Sequence, residues 1–203
     1  MKQLILILAL LLALSGCGQK AQTPTPAAET PAETPVETPA KPTGDRNPTA
    51  AELGREEKTE LTFTVEGETE LVPVTLYIGQ GYSIYIPDEG WRLEKDTEDG
   101  IPEDTWESTV NHDVELRVLH LGEKTLEQAK AWVTAAEDDY RLIEDKQGGL
   151  GGTDAEDREV LEARFYSSGS QMYAVLYEYP MEAAEGFGAR LGQIAETFDT
   201  SFQ

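Results

Sequence analysis

The chain has 203 residues, one cysteine, and 16 basic against 39 acidic side chains, a formal net charge of −23. A lone cysteine excludes an intramolecular disulfide framework and a four-cysteine zinc site. The acidic excess argues against nucleic acid, whose phosphates are gripped by Lys and Arg, and against adsorption to anionic lipid headgroups.

Met1 and Lys2 make a short positive start, and residues 4–14 are an unbroken apolar run of 11 residues. At 1.5 Å per residue that is about 16 Å of helix. The length is too short for a bilayer and right for the apolar segment of a signal peptide. The run ends in Leu14-Ser15-Gly16-Cys17. This resembles the bacterial lipobox, in which small residues precede an obligatory cysteine. The resemblance implies a signal peptide over 1–16, diacylglycerol in thioether linkage on Cys17, cleavage before it, and acylation of the new amino group. The address it implies is the extracytoplasmic face of a cell membrane, with lipid as the anchor.

Residues 17–57 read as a tether. Seven of the 11 prolines lie there, and Glu-Thr-Pro recurs three times between Glu29 and Ala40. Such a segment has too little apolar surface to fold and leans toward polyproline II. Forty residues in that form reach roughly 120 Å.

From Lys58 onward periodicity takes over and predicts one domain over 58–203, with 11 basic against 32 acidic residues. Leu61, Phe63 and Val65 alternate with threonines; after Glu66-Gly67-Glu68 the residues Val72, Val74, Leu76 and Ile78 alternate again. That pattern predicts a hairpin. A third strand over 82–86 stops at Pro87, and 96–104 reads as a polar loop. Strands over 105–110 and 114–121 follow, joined by Asn111-His112-Asp113. Thr125 and Gln128 form a capping-box pattern, opening a helix with Leu126, Ala129, Val133, Ala136 and Tyr140 on its apolar stripe. Residues 141–145 read as a short strand, the glycine-rich 148–152 as a loop, and 159–166 as a strand. In 172–179, Met172, Ala174 and Leu176 alternate with Tyr173, Val175 and Tyr177. A strand apolar on both faces is covered twice. Ala184, Phe187, Leu191, Ile194 and Phe198 predict a last helix, weakened by Gly186, Gly188 and Gly192.

Tyr82-Ser83-Ile84-Tyr85-Ile86-Pro87 followed by Gly90-Trp91 resembles the strand, proline, tryptophan opening of PsbP-like domains. Thr125-Leu126-Glu127-Gln128-Ala129 is similar to the helix after their first strands. The strand over 172–180 and the helix ending Ala195-Glu196-Thr197-Phe198 are similar to their C-terminal pair. The resemblance spans residues 80–200. It implies an α+β fold, an α/β/α three-layer sandwich with a central, mostly antiparallel sheet, here preceded by the β-hairpin. The family consists of binding modules and not enzymes.

Motifs for chemistry are sparse. His112 and His120 are the two histidines, and Gly-x-Ser-x-Gly does not occur. The run 148–152 has neither a dinucleotide-binding register nor a P-loop lysine. The acidic stretches around Asp96, Glu98, Asp99, Glu103 and Asp104, and around Asp154, Glu156 and Asp157, lack EF-hand order and read as solvated loops. No cofactor or metal is expected. Tyr173, Tyr177 and Tyr179 share a strand face, with Tyr85 near. They read as core beneath a helix, and alternatively as a partly open aromatic face for a ligand or partner. The expectation is a membrane-anchored, non-catalytic binding or assembly module that meets an envelope or extracellular protein and no nucleic acid. The alternative is a hydrolase of cell-wall or carbohydrate substrates using acidic residues.

Overall fold

The computed structural model describes residues 47–98 and 100–201; the expected signal peptide, Cys17 and most of the expected tether lie outside the described residues. Strands β1 (Lys58–Val65), β2 (Glu68–Ile78) and β3 (Ser83–Pro87) form a small antiparallel sheet in that order. Glu66 and Gly67, at φ 53° and 84°, make the turn that pairs Val65 with Glu68. Two central residues with positive φ suit the right-handed twist of a hairpin. The predicted hairpin therefore shares its sheet with the third strand.

The larger sheet holds β4 (Trp91–Glu98), β5 (Ile101–Ser108), β6 (Glu115–Gly122), β7 (Ile143–Glu144), β8 (Leu150–Thr153), β9 (Glu159–Ser168) and β10 (Gln171–Pro180). Its order is β4-β5-β6-β10-β9-β8-β7, and every pairing is antiparallel. Two expectations are corrected here. Residues 96–104 belong mostly to the arms of the β4–β5 hairpin. Arg92, Glu94, Lys95 and Asp96 are exposed on β4, an edge strand. Such charges deter further pairing and conceal the period of two. The glycine run is no simple loop either: Leu150–Thr153 pairs with both β7 and β9. Without side chains, Gly151 and Gly152 carry no alternation to read.

The doubly apolar strand is β10. Tyr173, Val175, Tyr177 and Tyr179 enter one buried cluster with Phe63, Ile84, Leu191 and Ile194. Met172, Ala174 and Leu176 enter another with Leu119, Leu161, Ala129 and Val133, the last two from helix α1 (Leu126–Ala136). Helix α1 opens on its capping box: Gln128 N donates to Thr125 Oγ1 (3.3 Å) and Thr125 N to Gln128 Oε1 (2.9 Å). It stops short of Tyr140, which instead bridges to Asp154. The last predicted helix is split into a 3-10 turn (Met181–Ala183), a π-helical turn (Ala184–Gly188) and helix α2 (Ala189–Ala195).

The tether's end is also corrected. Asn47 Nδ2 donates to Ile78 O (3.1 Å), and Arg55 donates to Ser83 Oγ (2.7 Å) and Thr197 O (2.9 Å). The Arg55 guanidinium lies 4.5 Å from the Tyr85 ring centroid. Packing thus begins before Lys58, where apolar periodicity begins. Hydrogen bonds from a charged group contribute about 1.5–3 kcal/mol. Arg55→Ala is expected to lower stability by about 1–3 kcal/mol. A chain beginning at Lys58 is expected to melt below one beginning at Asn47 in calorimetry. An unchanged midpoint in both comparisons would return residues 47–57 to the tether.

Candidate functional site

An open, largely apolar groove of about 600 Å³ lies where the small sheet, α2 and the start of β4 meet. Phe63 and Val72 form its floor from β1 and β2, Pro87 and Trp91 one wall, and Phe187 and Ile194 the other. Val110, 76% exposed, stands at its lip. The frame is hydrogen-bonded throughout. Ser108 Oγ accepts from Val110 N (3.4 Å) and Asn111 N (3.3 Å), closing the turn that turns Val110 outward. Thr109 N donates to Gly90 O (2.8 Å), clipping that turn to the one before Trp91. Asp88 N donates to Pro73 O (3.0 Å), and Thr75 Oγ1 donates to Asp88 Oδ1 (2.5 Å).

The opposite wall rests on β10. Tyr177 and Tyr179 both donate to Glu162, each at 2.8 Å. A Cβ on Gly188 would lie 2.8 Å from the Tyr179 ring, so glycine lets the π-helical turn sit directly on that ring. π-Helical turns recur at functional sites; this one carries Phe187 into the groove. Helix α2 is pinned by Gln193, whose Oε1 accepts from Thr64 N (3.0 Å) and whose Nε2 donates to Thr64 O (3.3 Å). At the rim Arg190 Nε donates to Glu70 Oε1 (2.7 Å).

The tyrosine face does not form. Tyr173, Tyr177 and Tyr179 are at most 5% exposed, and burial raises the pKa of Tyr177 and Tyr179, with Glu162 adding to it. Tyr173 donates to Gln80 O (3.2 Å). Tyr85 stands apart on β3, its hydroxyl on Glu56 O (2.9 Å). Their alternation on β10 serves the core. The two histidines are also separate: His112 meets Glu107, while His120 reaches Gln171 Oε1 (2.9 Å) and stacks on Tyr173 at 4.7 Å.

The acidic stretches are tied into the fold. Asp104 accepts from Tyr77 (2.9 Å) and Tyr82 (2.5 Å) and pairs with Lys95 (3.0 Å). Asp154 accepts from Arg158 N (2.6 Å) and Glu159 N (3.2 Å). Among the described residues no group of three or more His, Cys, Asp or Glu is arranged to hold a metal ion. Val110 and Phe187 were not legible as site residues. Their one signal was context: a valine beside a polar turn, and a phenylalanine between two glycines.

The chain is thus a mostly antiparallel, sheet-rich α+β domain with two helices and an open apolar groove. No protein-family model matches it, and no curated protein matches it. Among solved structures it is similar to the solution structure of cyanobacterial PsbP (CyanoP) from Synechocystis sp. PCC 6803. Sequence identity is 12% and the TM-score 0.43, over 62% of this chain and 91% of that one. A likeness of that size transfers neither ligand nor partner.

Proposed function

We propose that the chain is a membrane-anchored extracytoplasmic lipoprotein whose domain is a non-catalytic binding or assembly module, with the apolar groove as the seat for its partner. Its layers are read as PsbP-like: α1, the seven-stranded sheet, then α2 beside the small sheet. The address rests on Leu14-Ser15-Gly16-Cys17. The binding role rests on one observation, a groove of about 600 Å³ whose apolar lip is solvent-exposed and whose walls are hydrogen-bonded in place. Concave apolar surface in a fixed frame is where proteins seat ligands. The carboxylates that pair under burial, Glu115 and Glu178, line neither this groove nor the cavity beside it, which disfavours the hydrolase alternative.

A photo-crosslinking residue at Val110 in the full lipidated chain tests this in intact cells. The expected result is a discrete protein adduct, absent when the same residue replaces Ile143, which is 73% exposed on the far edge strand. No adduct, or the same adduct from both positions, overturns the binding role.

A further inference from the structure

Resting on that reading, we propose that the groove takes a peptide segment of the partner in which a bulky apolar side chain is followed by Lys or Arg. The groove continues into a second cavity of about 270 Å³ along the β1–β2 hairpin, and the two share Glu70 and Arg190 as a common wall. The register explains the change of chemistry between them. Val72 pairs with Leu61, Glu70 with Phe63 and Glu68 with Val65. Residues two apart share a face. The inward face of β2 therefore runs from Val74 and Val72 to Glu70 and Glu68 as the hairpin overhangs α2.

The two cavities are lined by four acids, Glu66, Glu68, Glu70 and Glu89, against one base, Arg190. The charge of Arg190 is already committed, with Nη2 2.6 Å from Glu70 Oε1. Glu66, Glu68 and Glu89 have no ion-pair partner among the described residues. From Val72 to Glu68 the strand rises about 13 Å at ~3.3 Å per residue. That is the span of four or five residues of extended peptide, longer than a single side chain. An apolar anchor fills the groove, and the following cations lie over Glu68 and Glu66, beyond the Glu70–Arg190 pair. Complementary charge at an exposed rim sets specificity and salt dependence, while the buried anchor holds the complex.

The test uses fluorescence anisotropy with labelled nine-residue Gly/Ser peptides carrying one phenylalanine followed by two lysines. The lysine peptide is expected to bind wild-type chain saturably at low salt and to weaken as salt rises. Affinity should fall at least tenfold when glutamates replace the lysines, in the Glu66→Gln/Glu68→Gln variant, and in Val110→Glu. All three substituted positions are solvent-accessible, and melting curves confirm that the variants fold. Equal binding with lysine or serine flanks, weakened by Val110→Glu alone, overturns the basic-peptide assignment and leaves the groove reading standing. No peptide binding alongside a Val110 crosslink has the same meaning. No peptide binding and no crosslink overturn both.

Discussion

Replacing Arg117 by methionine is expected to cost about 3–5 kcal/mol at pH 7.5, because it leaves buried carboxylates without their cation. That is a large part of the stability of an ordinary domain. The register builds the problem: Glu107 pairs with Glu115 and Glu115 with Glu178, so three carboxylates stand in one row across β5, β6 and β10. Like charges directly opposite on neighbouring strands repel. Arg117, in the next row, donates to Glu137 Oε1 of the α1 C-terminus (2.8 Å), with Nη2 3.8 Å from Glu178 Oε2. Burial opposes its charge, yet Glu137, Glu115 and Glu103 hold its pKa above the usual arginine value. Its buried Nε has no partner among the described residues, so the guanidinium is held by surrounding charge more than by a full set of hydrogen bonds. Methionine preserves much of the volume and isolates the electrostatic loss. Urea unfolding at pH 7.5 measures it, and a loss under about 1 kcal/mol would mean that the acids relax into water.

The same cluster fixes the sign of the pH dependence. Burial raises the pKa of Glu115, with Glu103, Glu137 and Glu107 adding and Arg117 opposing. Burial also raises Glu178, with Glu115 and Glu159 adding and Tyr140 and Arg117 opposing. A carboxyl with a raised folded pKa contributes stability that is full below its unfolded value, about 4.3 for Glu, and lost as pH rises through the folded value. Glu107 runs the other way, lowered by His112 and Arg92. So does Asp154: burial pushes it up, but the backbone N–H groups of Arg158 and Glu159 leave it below the usual value. Their contribution is present above the unfolded value and lost as pH falls through the folded one. The contribution of Glu115 and Glu178 should therefore grow as pH falls from 7.5 toward the unfolded value of about 4.3, and that of Glu107 and Asp154 should be lost as pH falls below about 4. The acid-side gain should be larger in Arg117→Met, where Arg117 no longer opposes the upward shifts of Glu115 and Glu178.

Where side chains carried the pattern, the sequence was readable. The alternation of Met172, Ala174 and Leu176 with Tyr173, Val175 and Tyr177 corresponds to the two clusters on either face of β10. The capping box at Thr125 and Gln128 is formed as expected. Edge strands obey solvent more than a core, so residues 96–98 at the end of β4 read as loop. Gly151 and Gly152 left β8 without an alternating pattern. The site was harder still, because a groove is a relation among β1, β2, the Trp91 turn, the Val110 turn and the π-helical turn. No window of sequence contains that relation. The Glu107–Glu115–Glu178 row is equally invisible, since it exists only once three strands are in register.

Cys17→Ser is expected to move the protein from the membrane fraction to the soluble fraction almost completely. The apolar run of 11 residues before Leu14-Ser15-Gly16-Cys17 is too short to span a bilayer and places Cys17 where the proposed lipidation would occur. Among the described residues no helix is long and apolar enough to cross a membrane, and the proposed anchor is the lipid on Cys17. The proposed cleavage before Cys17 would remove Lys2 and leave 15 basic against 39 acidic residues, a net charge of 15 − 39 = −24. A chain with that charge is repelled by anionic headgroups, so it has no electrostatic route to residual adsorption. Each buried methylene contributes about 0.8 kcal/mol, and one acyl chain holds only reversibly, so the proposed anchor would need two or three chains for a stable hold. Fractionation after a high-salt wash decides the matter. A serine variant still in the membrane pellet would show that something other than Cys17 holds the protein there. Release of the variant with unchanged melting of the domain would separate the anchor from the fold, and would leave the Val110 groove intact but away from the membrane surface.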